Sequence, residues 1–463
     1  MKKVLVLGAG LVCRPLVRYL LEQCGFQVTV ASRTVSKADA LVAGHPSGRT
    51  MALLTEDLGK LEALVRDHDL AISLLPAPQH PVVAELCVRH KKHMVTTSYI
   101  SPKMKTLDGP ARDAGVTLLN EIGVDPGIDH MSAMRIIHDV ERRGGQVVSF
   151  KSYCGGLPAP EANDNPWGYK FSWAPRGVCT AGKNAAKFLE HGKIVDIPGP
   201  ELFLNNHPVP VEGVPEHKEL EGYPNRDSLS YIDVYGLKGM ETMFRGTLRY
   251  PGWSACLKKV VDIGFLDESP ATYPAGMTFA QWTATFIKAN TTGQLREQVA
   301  KHFKVDAKAN FLDRWEWLGL FSSDPLPITG KPTTALDILA TRMEQKMQYK
   351  PGERDMLVLM HKFVARFPGN VAAGAPAGRR QTVCPVVCLP RKAKGGAQRA
   401  KCYACRVQGE PQCADLTTRT GGAVRPGDQP SAGHAGASAR PTRRTRIPQG
   451  VQPAPERNRR AAE

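Results

Sequence analysis

Six short apolar runs alternate with helical stripes over the first 126 residues, and this alternation fixes the fold class of that part of the chain. The first run, KKVLVLGA, is almost continuously apolar, as a strand covered on both faces must be. LVCRPLVRYLLEQ then carries Val12, Leu16 and Leu20 at i, i+4 and i+8, the spacing of a helix with one buried side. The runs FQVTVAS, TMALL, LAISLLP, HMVTTS and VTLLNE follow as strands. Between them lie the helical segments TVSKADALVA, GKLEALVRD, HPVVAELCVRH and MKTLDGPARDA. Strands joined through helices pair in parallel, so residues 1–126 are expected to form an α/β domain with a Rossmann-like parallel sheet.

The grammar then changes. GIDHMSAMRIIHDVERR reads as a helix, with Ile128, Met131 and Met134 on one side. VVSFKSYC, PELFL, YIDVYGL and METMFRGTLRY read as strands without regular crossovers, and residues 268–350 as mostly helical. MLVLMHKFVARF alternates with period two and returns as a strand. Residues 127–368 are therefore expected to be a mixed α+β domain with a helical part at about 268–350. No apolar run reaches the roughly 18 residues that a membrane span needs. The opening MKKVLVLGAG runs into a Gly-rich turn, which reads as a strand rather than a leader.

The formal net charge of +17 over 463 residues invites a nucleic-acid reading, and a count by region removes it. Residues 1–368 hold 44 Lys and Arg against 39 Asp and Glu, and residues 369–463 hold 17 against 5. The excess belongs to the last stretch, where Arg, Pro, Ala and Gly abound and Tyr403 is the one aromatic residue. Such a composition buries too little apolar surface to offset ordering entropy, so a disordered tail is expected. GRRQTVCPVV keeps the pattern of one pairing strand, which Pro385 would confine to an edge. Cys384-x3-Cys388 and Cys402-x2-Cys405 have spacings that zinc accepts, but no apolar core surrounds them, and no metal is expected. The six cysteines before residue 369 are scattered singly, which suits a reducing, cytoplasmic setting.

Gly8-Ala9-Gly10-Leu11-Val12-Cys13 joins the first strand to the first helix. Gly8 permits the tight turn, and Gly10 lets backbone approach a pyrophosphate resting on the helix N-terminus. The third position of the fingerprint is Cys13 rather than Gly or Ala. At the end of the second strand an NAD enzyme carries a carboxylate for the ribose 2′-hydroxyl. Here the chain reads Ala31-Ser32-Arg33, and a hydroxyl with a guanidinium suits a 2′-phosphate, so NADP is expected over NAD.

GAGLVCRPLVRYL, VASRT, SLLP, TTSYISPKM, NEIGVDPGIDHMSAM, SYCGGLPAPEANDNPWGYKFSWAPRGV and FRGTLRYPGW occur in this order. Together they resemble the saccharopine reductase family, the glutamate-forming saccharopine dehydrogenases of fungal lysine synthesis, from Met1 to about Phe367. The resemblance implies an NADP-binding domain, a saccharopine-binding domain, and NADPH-dependent condensation of 2-aminoadipate 6-semialdehyde with L-glutamate. By matching positions it implies cofactor contacts at Gly8, Gly10, Leu11, Val12 and Cys13 and at Ala31, Ser32 and Arg33. It implies further ones at Glu56 and Asp57, Leu75, Thr97 and Ser98, and Val124, Pro126 and Gly127. It implies substrate contacts at Ser98, Tyr99, Asp125, Arg226, Thr247, Leu248 and Arg249. Tyr99, Asp125 and Cys154 form the catalytic shortlist. The residues alone leave each open to a plainer role: packing for Tyr99, a helix cap for Asp125, a small core residue for Cys154.

The implied partners are small molecules, with neither nucleic acid nor membrane, and a homodimer stays open. Two other readings stay open as well. One is a related oxidoreductase with another substrate or a preference for NAD. The other is an impaired product of a shifted reading frame, since the composition after Pro368 is what an out-of-frame GC-rich gene would give.

Overall fold

The computed structural model describes residues 1–211 and 219–367, and the backbone of two strand segments at 379–390 and 401–407. The first domain is built as the alternation predicts. Strands β1 (Lys3–Leu7), β2 (Gln27–Ser32), β3 (Gly48–Ala52), β4 (Leu70–Ser73), β5 (His93–Thr96) and β6 (Leu118–Leu119) form one sheet, ordered β3-β2-β1-β4-β5-β6. All five pairings are parallel, and the order reverses between β1 and β4, where such sheets open a ligand crevice at their carboxyl ends. Helices α1 (Cys13–Glu22), α2 (Val35–Val42), α3 (Leu58–Asp67), α4 (His80–Arg89), α5 (Pro102–Lys105) and α6 (Asp108–Asp113) make the crossovers. Val4 and Val6 pack with α1 and α2 on one face of β1, while Leu5 and Leu7 pack with α3 and α4 on the other. The near-continuous apolar run is the record of these two covered faces.

Helix α7 (Ile128–Arg142) leads out of this domain and lies on the second sheet. Its Ala133, Ile137 and Val140 meet Phe150, Met243 and Phe363. That sheet runs β10 (His207–Pro210), β11 (Glu219–Pro224), β12 (Thr242–Arg249), β7 (Gln146–Pro158), β15 (Asp355–Phe367), β16 (Arg379–Pro390), β17 (Lys401–Val407). Strand β8 (Ala186–Glu190) joins β12 and β9 (Lys193–Ile197). Side chains alternate across a strand. In β12, Phe244 and Leu248 therefore enter the large core under the sheet, while Met243 and Arg245 face α7. The large core is completed by α8 (Pro175–Thr180), α10 (Trp253–Ile263), α11 (Phe279–Phe286), α12 (Leu295–His302), α13 (Asn310–Leu318) and α14 (Ala335–Lys346). A two-stranded ribbon, β13 (Ala271–Thr272) with β14 (Pro332–Thr333), closes that side.

Two expected strands are helical instead. PELFL lies in a 3-10 helix, Gly199–Asn205, and YIDVYGL opens as α9 (Ser230–Val234). Their apolar residues serve one-sided packing, which short runs of either kind satisfy equally well. The expected trace strand is present as β16, antiparallel to β15. It is not an edge, because β17 pairs along its other side, with the register slipping between Cys384 and Val386. The rest of the expected disordered tail lies outside the described residues. Among the described residues no helix is long and apolar enough to cross a membrane, and no group of His, Cys, Asp and Glu could hold a metal.

Candidate active site

The cofactor end is an open loop on a bare helix start. Gly8 has φ +110°, and a Cβ there would lie 2.9 Å from the Leu74 carbonyl oxygen, so only glycine fits. Gly10, Leu11 and Val12 are exposed. Helix α1 starts at Cys13 with no side-chain cap and no acidic residue in its first turn. The positive dipole end of this uncapped start suits a pyrophosphate, although the Cys13 N–H already donates to the Gly10 carbonyl at 3.2 Å and Pro15 has no N–H. Cys13 is wholly buried beneath the loop, with its thiol donating to the Gly8 carbonyl at 3.5 Å.

Ala31 is buried, and its carbonyl holds the Gly8 N–H at 2.9 Å; Ser32 and Arg33 emerge beyond it, Arg33 in solvent. Among the described residues no carboxylate pairs with Arg33. The sequence placed Glu56 and Asp57 together, and the structure separates their roles. Asp57 caps α3 by accepting from Lys60 N at 3.0 Å, while Glu56 lines a shallow hollow with Thr55, Leu75, Gln79 and Val82. The open α1 start, the uncapped donors and the free guanidinium fit NADP.

The reacting end lies where the loops after β5 and β6 meet the second sheet. The Tyr99 hydroxyl donates to Asp125 Oδ1 at 2.9 Å. Burial first, and the neighbouring Asp125 second, push the Tyr99 phenol well above its ordinary range. Asp125 precedes Pro126 in a loop that closes on itself, with Gly123 N–H bonded to the Pro126 carbonyl at 2.8 Å. A Cβ on Gly127 would fall 2.2 Å from the Gly123 carbonyl oxygen, so this turn needs glycine. Pro126 and Gly127 are buried, and the Gly127 N–H donates to Asp129 Oδ1 at 2.6 Å; their groups shape the loop. The Val124 carbonyl is likewise occupied by the Asp129 N–H, and Thr97 packs beside Gly123.

Sequence reading missed the residue that organises this site. Arg245, 3 % exposed, donates through Nη2 to Asp125 Oδ1 and, at 2.8 Å, to Asp129 Oδ2. Its guanidinium carbon stands 4.4 Å from the Tyr231 ring centroid. Burial, reinforced by Asp125, lifts the Asp129 carboxyl above the usual carboxylate range. His130 continues the network, with Nδ1 2.6 Å from the Tyr235 hydroxyl and Nε2 2.8 Å from the Glu121 carboxylate. His361 reaches down from β15 to Ser132 Oγ at 2.7 Å. The signal for Arg245 was present: in FRGTLR it stands at period two with Thr247 and Arg249, and one face holds all three.

Arg249 is 6 % exposed and forms no salt bridge among the described residues, although the buried Glu221 opposite it in the register acts on it electrostatically. It donates from Nη1 to the Leu248 carbonyl at 2.8 Å, its Nε has no partner, and it stacks 4.9 Å from Tyr169 and 5.4 Å from Trp253. Its Nε is unsatisfied and the nearby Glu221 oxygens are already held by the Gly252 and Ser254 N–H groups, so this buried guanidinium is suited to a carboxylate from a ligand. Arg226, exposed and at φ +56°, lies 5.1 Å over the Tyr99 ring. Thr247 is half-buried on the same face, opposite Cys154 in the register. The Leu248 side chain points away into the core, and only its backbone serves the site. Cys154 is buried, and burial followed by Asp125 and Asp129 pushes its thiol far up, which leaves it protonated and poorly suited to exchange protons at neutral pH. Ser98 is held by His80, with Oγ and Nε2 2.8 Å apart.

The comparisons agree with this division. Residues 4–119 match the saccharopine dehydrogenase NADP binding domain model, and residues 123–411 match the saccharopine dehydrogenase C-terminal domain model. The second match continues past Phe367 through the two added strands. Saccharopine dehydrogenase [NADP(+), L-glutamate-forming] of Schizosaccharomyces pombe is 44 % identical over 373 residues, covering 78 % of this chain and 81 % of that one. The Pyricularia oryzae protein of the same description is 42 % identical, covering 78 % and 80 %. A solved structure of apo saccharopine dehydrogenase (L-Glu forming) from Saccharomyces cerevisiae superposes with TM-score 0.69 at 38 % identity, covering 85 % of this chain and 86 % of that one.

Proposed function

The chain belongs to the saccharopine dehydrogenase family, and from that premise we propose how its own residues carry the reaction. It is an NADP-dependent oxidoreductase that reductively condenses 2-aminoadipate 6-semialdehyde with L-glutamate to saccharopine. The observation that carries our reading is the buried, unpaired Arg249 on the same sheet face as the Arg245–Asp125–Tyr99 cluster.

Each reactant and the product carry carboxylates around one nitrogen. Arg249 binds one of them as a charge-assisted pair in a dry site, where it is strongest. Arg226, over the Tyr99 ring at the solvent side, takes a second. Asp125 Oδ1 already accepts from Tyr99 and Arg245, and among the described residues no donor reaches Oδ2. Oδ2 is thus the acceptor that faces the substrate nitrogen and stabilises its positive charge. Tyr99, kept protonated by burial, commits its single O–H to Asp125 and so orients that carboxylate towards the substrate nitrogen. NADPH, when bound, supplies the hydride. The loop after β1 and α1 hold its pyrophosphate, and Ser32 with Arg33 its 2′-phosphate. The singly scattered, unpaired cysteines support a cytoplasmic setting.

Replacing Arg249 with Gln tests the assignment. We expect the KM for saccharopine in the reverse direction to rise about 100-fold, in line with one lost charged hydrogen bond, at an unchanged KM for NADP. An unaltered saccharopine KM would remove Arg249 from the substrate site.

A further inference from the structure

His80 belongs to none of the roles above, yet it sits at the centre of the crevice end of the first domain. It is the first residue of α4 and is 3 % exposed. Its Nδ1 lies 2.8 Å from Ser73 Oγ at the end of β4. Its Nε2 lies 2.8 Å from Ser98 Oγ and 3.3 Å from Thr96 Oγ1 at the end of β5. Thr96 Oγ1 also accepts the Ser98 N–H at 3.4 Å, and the Ser98 carbonyl accepts the Glu121 N–H at 3.2 Å. One imidazole therefore ties two strand ends and the segment that leads into Tyr99.

We propose that His80 is a positioning residue for the reaction, fixing the Ser98 hydroxyl and its hydrogen-bond direction at the carboxyl ends of β4 and β5. The chemistry is specific. A neutral imidazole has one N–H and one lone pair, so Ser73 and Ser98 cannot play the same part towards it. If Nδ1–H donates to Ser73, then Nε2 accepts from Ser98, and the Ser98 oxygen presents lone pairs to a bound molecule. The opposite tautomer leaves the Ser98 hydroxyl free to donate. Burial pushes the His80 imidazole down to about 4, so this single-proton logic holds at neutral pH. Outer partners that fix the tautomer and orientation of a contacting group act on function without touching the ligand.

The inference rests on the reading that Ser98 faces cofactor and substrate. It is tested with two amides. In His80→Gln the side-chain amide reaches the place of Nε2 and keeps the Ser98 bond. In His80→Asn it reaches only the place of Nδ1 and keeps the Ser73 bond. We expect H80N to lose at least tenfold in kcat with the KM for NADPH changed less than threefold, while H80Q stays within threefold of wild type. Thermal midpoints should fall by similar amounts in both. Equal kinetics for the two variants, whether both active or both impaired, would overturn the proposal. A nitrogen NMR spectrum of the otherwise unchanged chain reads the bond even if H80N does not fold. Ser98→Ala should shift the His80 ring nitrogens, and unmoved signals would also overturn it. Lack of turnover in wild type itself would count against the assigned reaction, not against His80.

Discussion

Arg245 Nη2 lies 2.8 Å from Asp129 Oδ2, and the two side chains are 3 % and 2 % exposed. This pair joins β12 to the start of α7, and Asp125 and Tyr99 are arranged around it. Its energetic meaning is asymmetric. A buried pair adds little against an apolar replacement of both partners, but removing one partner leaves a bare charge in a dry site.

Arg245→Met is accordingly expected to destabilise the chain by about 3–5 kcal/mol, because two carboxylates lose their shared guanidinium. Chemical denaturation of wild type and variant measures this. The double variant with Asp129→Leu should recover part of the loss, and a cycle showing simple additivity would mean that the two residues do not couple.

Acid should weaken the fold well before the carboxylates titrate. Burial pushes His361 down to about 3 and His80 down to about 4. Their unfolded values lie near 6.5, so between about 4 and 6.5 the unfolded chain binds more protons. Stability that is complete above about pH 6.5 is then lost as pH falls through this window, at up to roughly 1.4 kcal/mol per pH unit for each histidine. Urea midpoints from pH 7.5 down to 5 should decline. In His361→Gln the decline should be shallower.

Tyr99→Phe removes the donor to Asp125 while keeping the ring beneath Arg226. We expect kcat/KM to fall about tenfold or more, in line with one lost hydrogen bond to a charged group. Cys154→Ala, by contrast, should change kcat less than about fivefold, since burial holds the thiol protonated. Steady-state kinetics at pH 7 distinguishes the two residues, and a large loss for C154A alone would reverse their ranking.

The parallel character of the first sheet was legible in the sequence because strands covered on both faces read as unbroken apolar runs alternating with helices. The cofactor turn was legible because Gly8 and Gly10 stand between such a run and a helix. The second domain was less so. PELFL and YIDVYGL bury one side only, and a single apolar side does not distinguish a short helix from a strand. In the site, Tyr99 and Asp125 were named through the family resemblance; the residues alone left packing open for one and a helix cap for the other. Arg245 was legible from its period-two spacing with Arg249 but was not singled out, and its pairing with Asp129 joins residues 116 positions apart, which no local spacing reveals. Asp57, implied as a cofactor contact, also caps α3, a role that an aspartate before an apolar helix carries readily.

Arg33→Ala isolates cofactor choice. The KM for NADPH should rise about 10-fold to 100-fold with that for NADH nearly unchanged, as expected when one charged contact to a 2′-phosphate is lost. Equal changes for both nucleotides would place Arg33 away from the 2′-position.

The most direct measurement follows NADPH absorbance with purified chain, L-glutamate and 2-aminoadipate 6-semialdehyde, together and singly. NADPH should be consumed only when both are present, with saccharopine as product. Binding of NADPH without consumption, or consumption with either compound alone, would contradict the account.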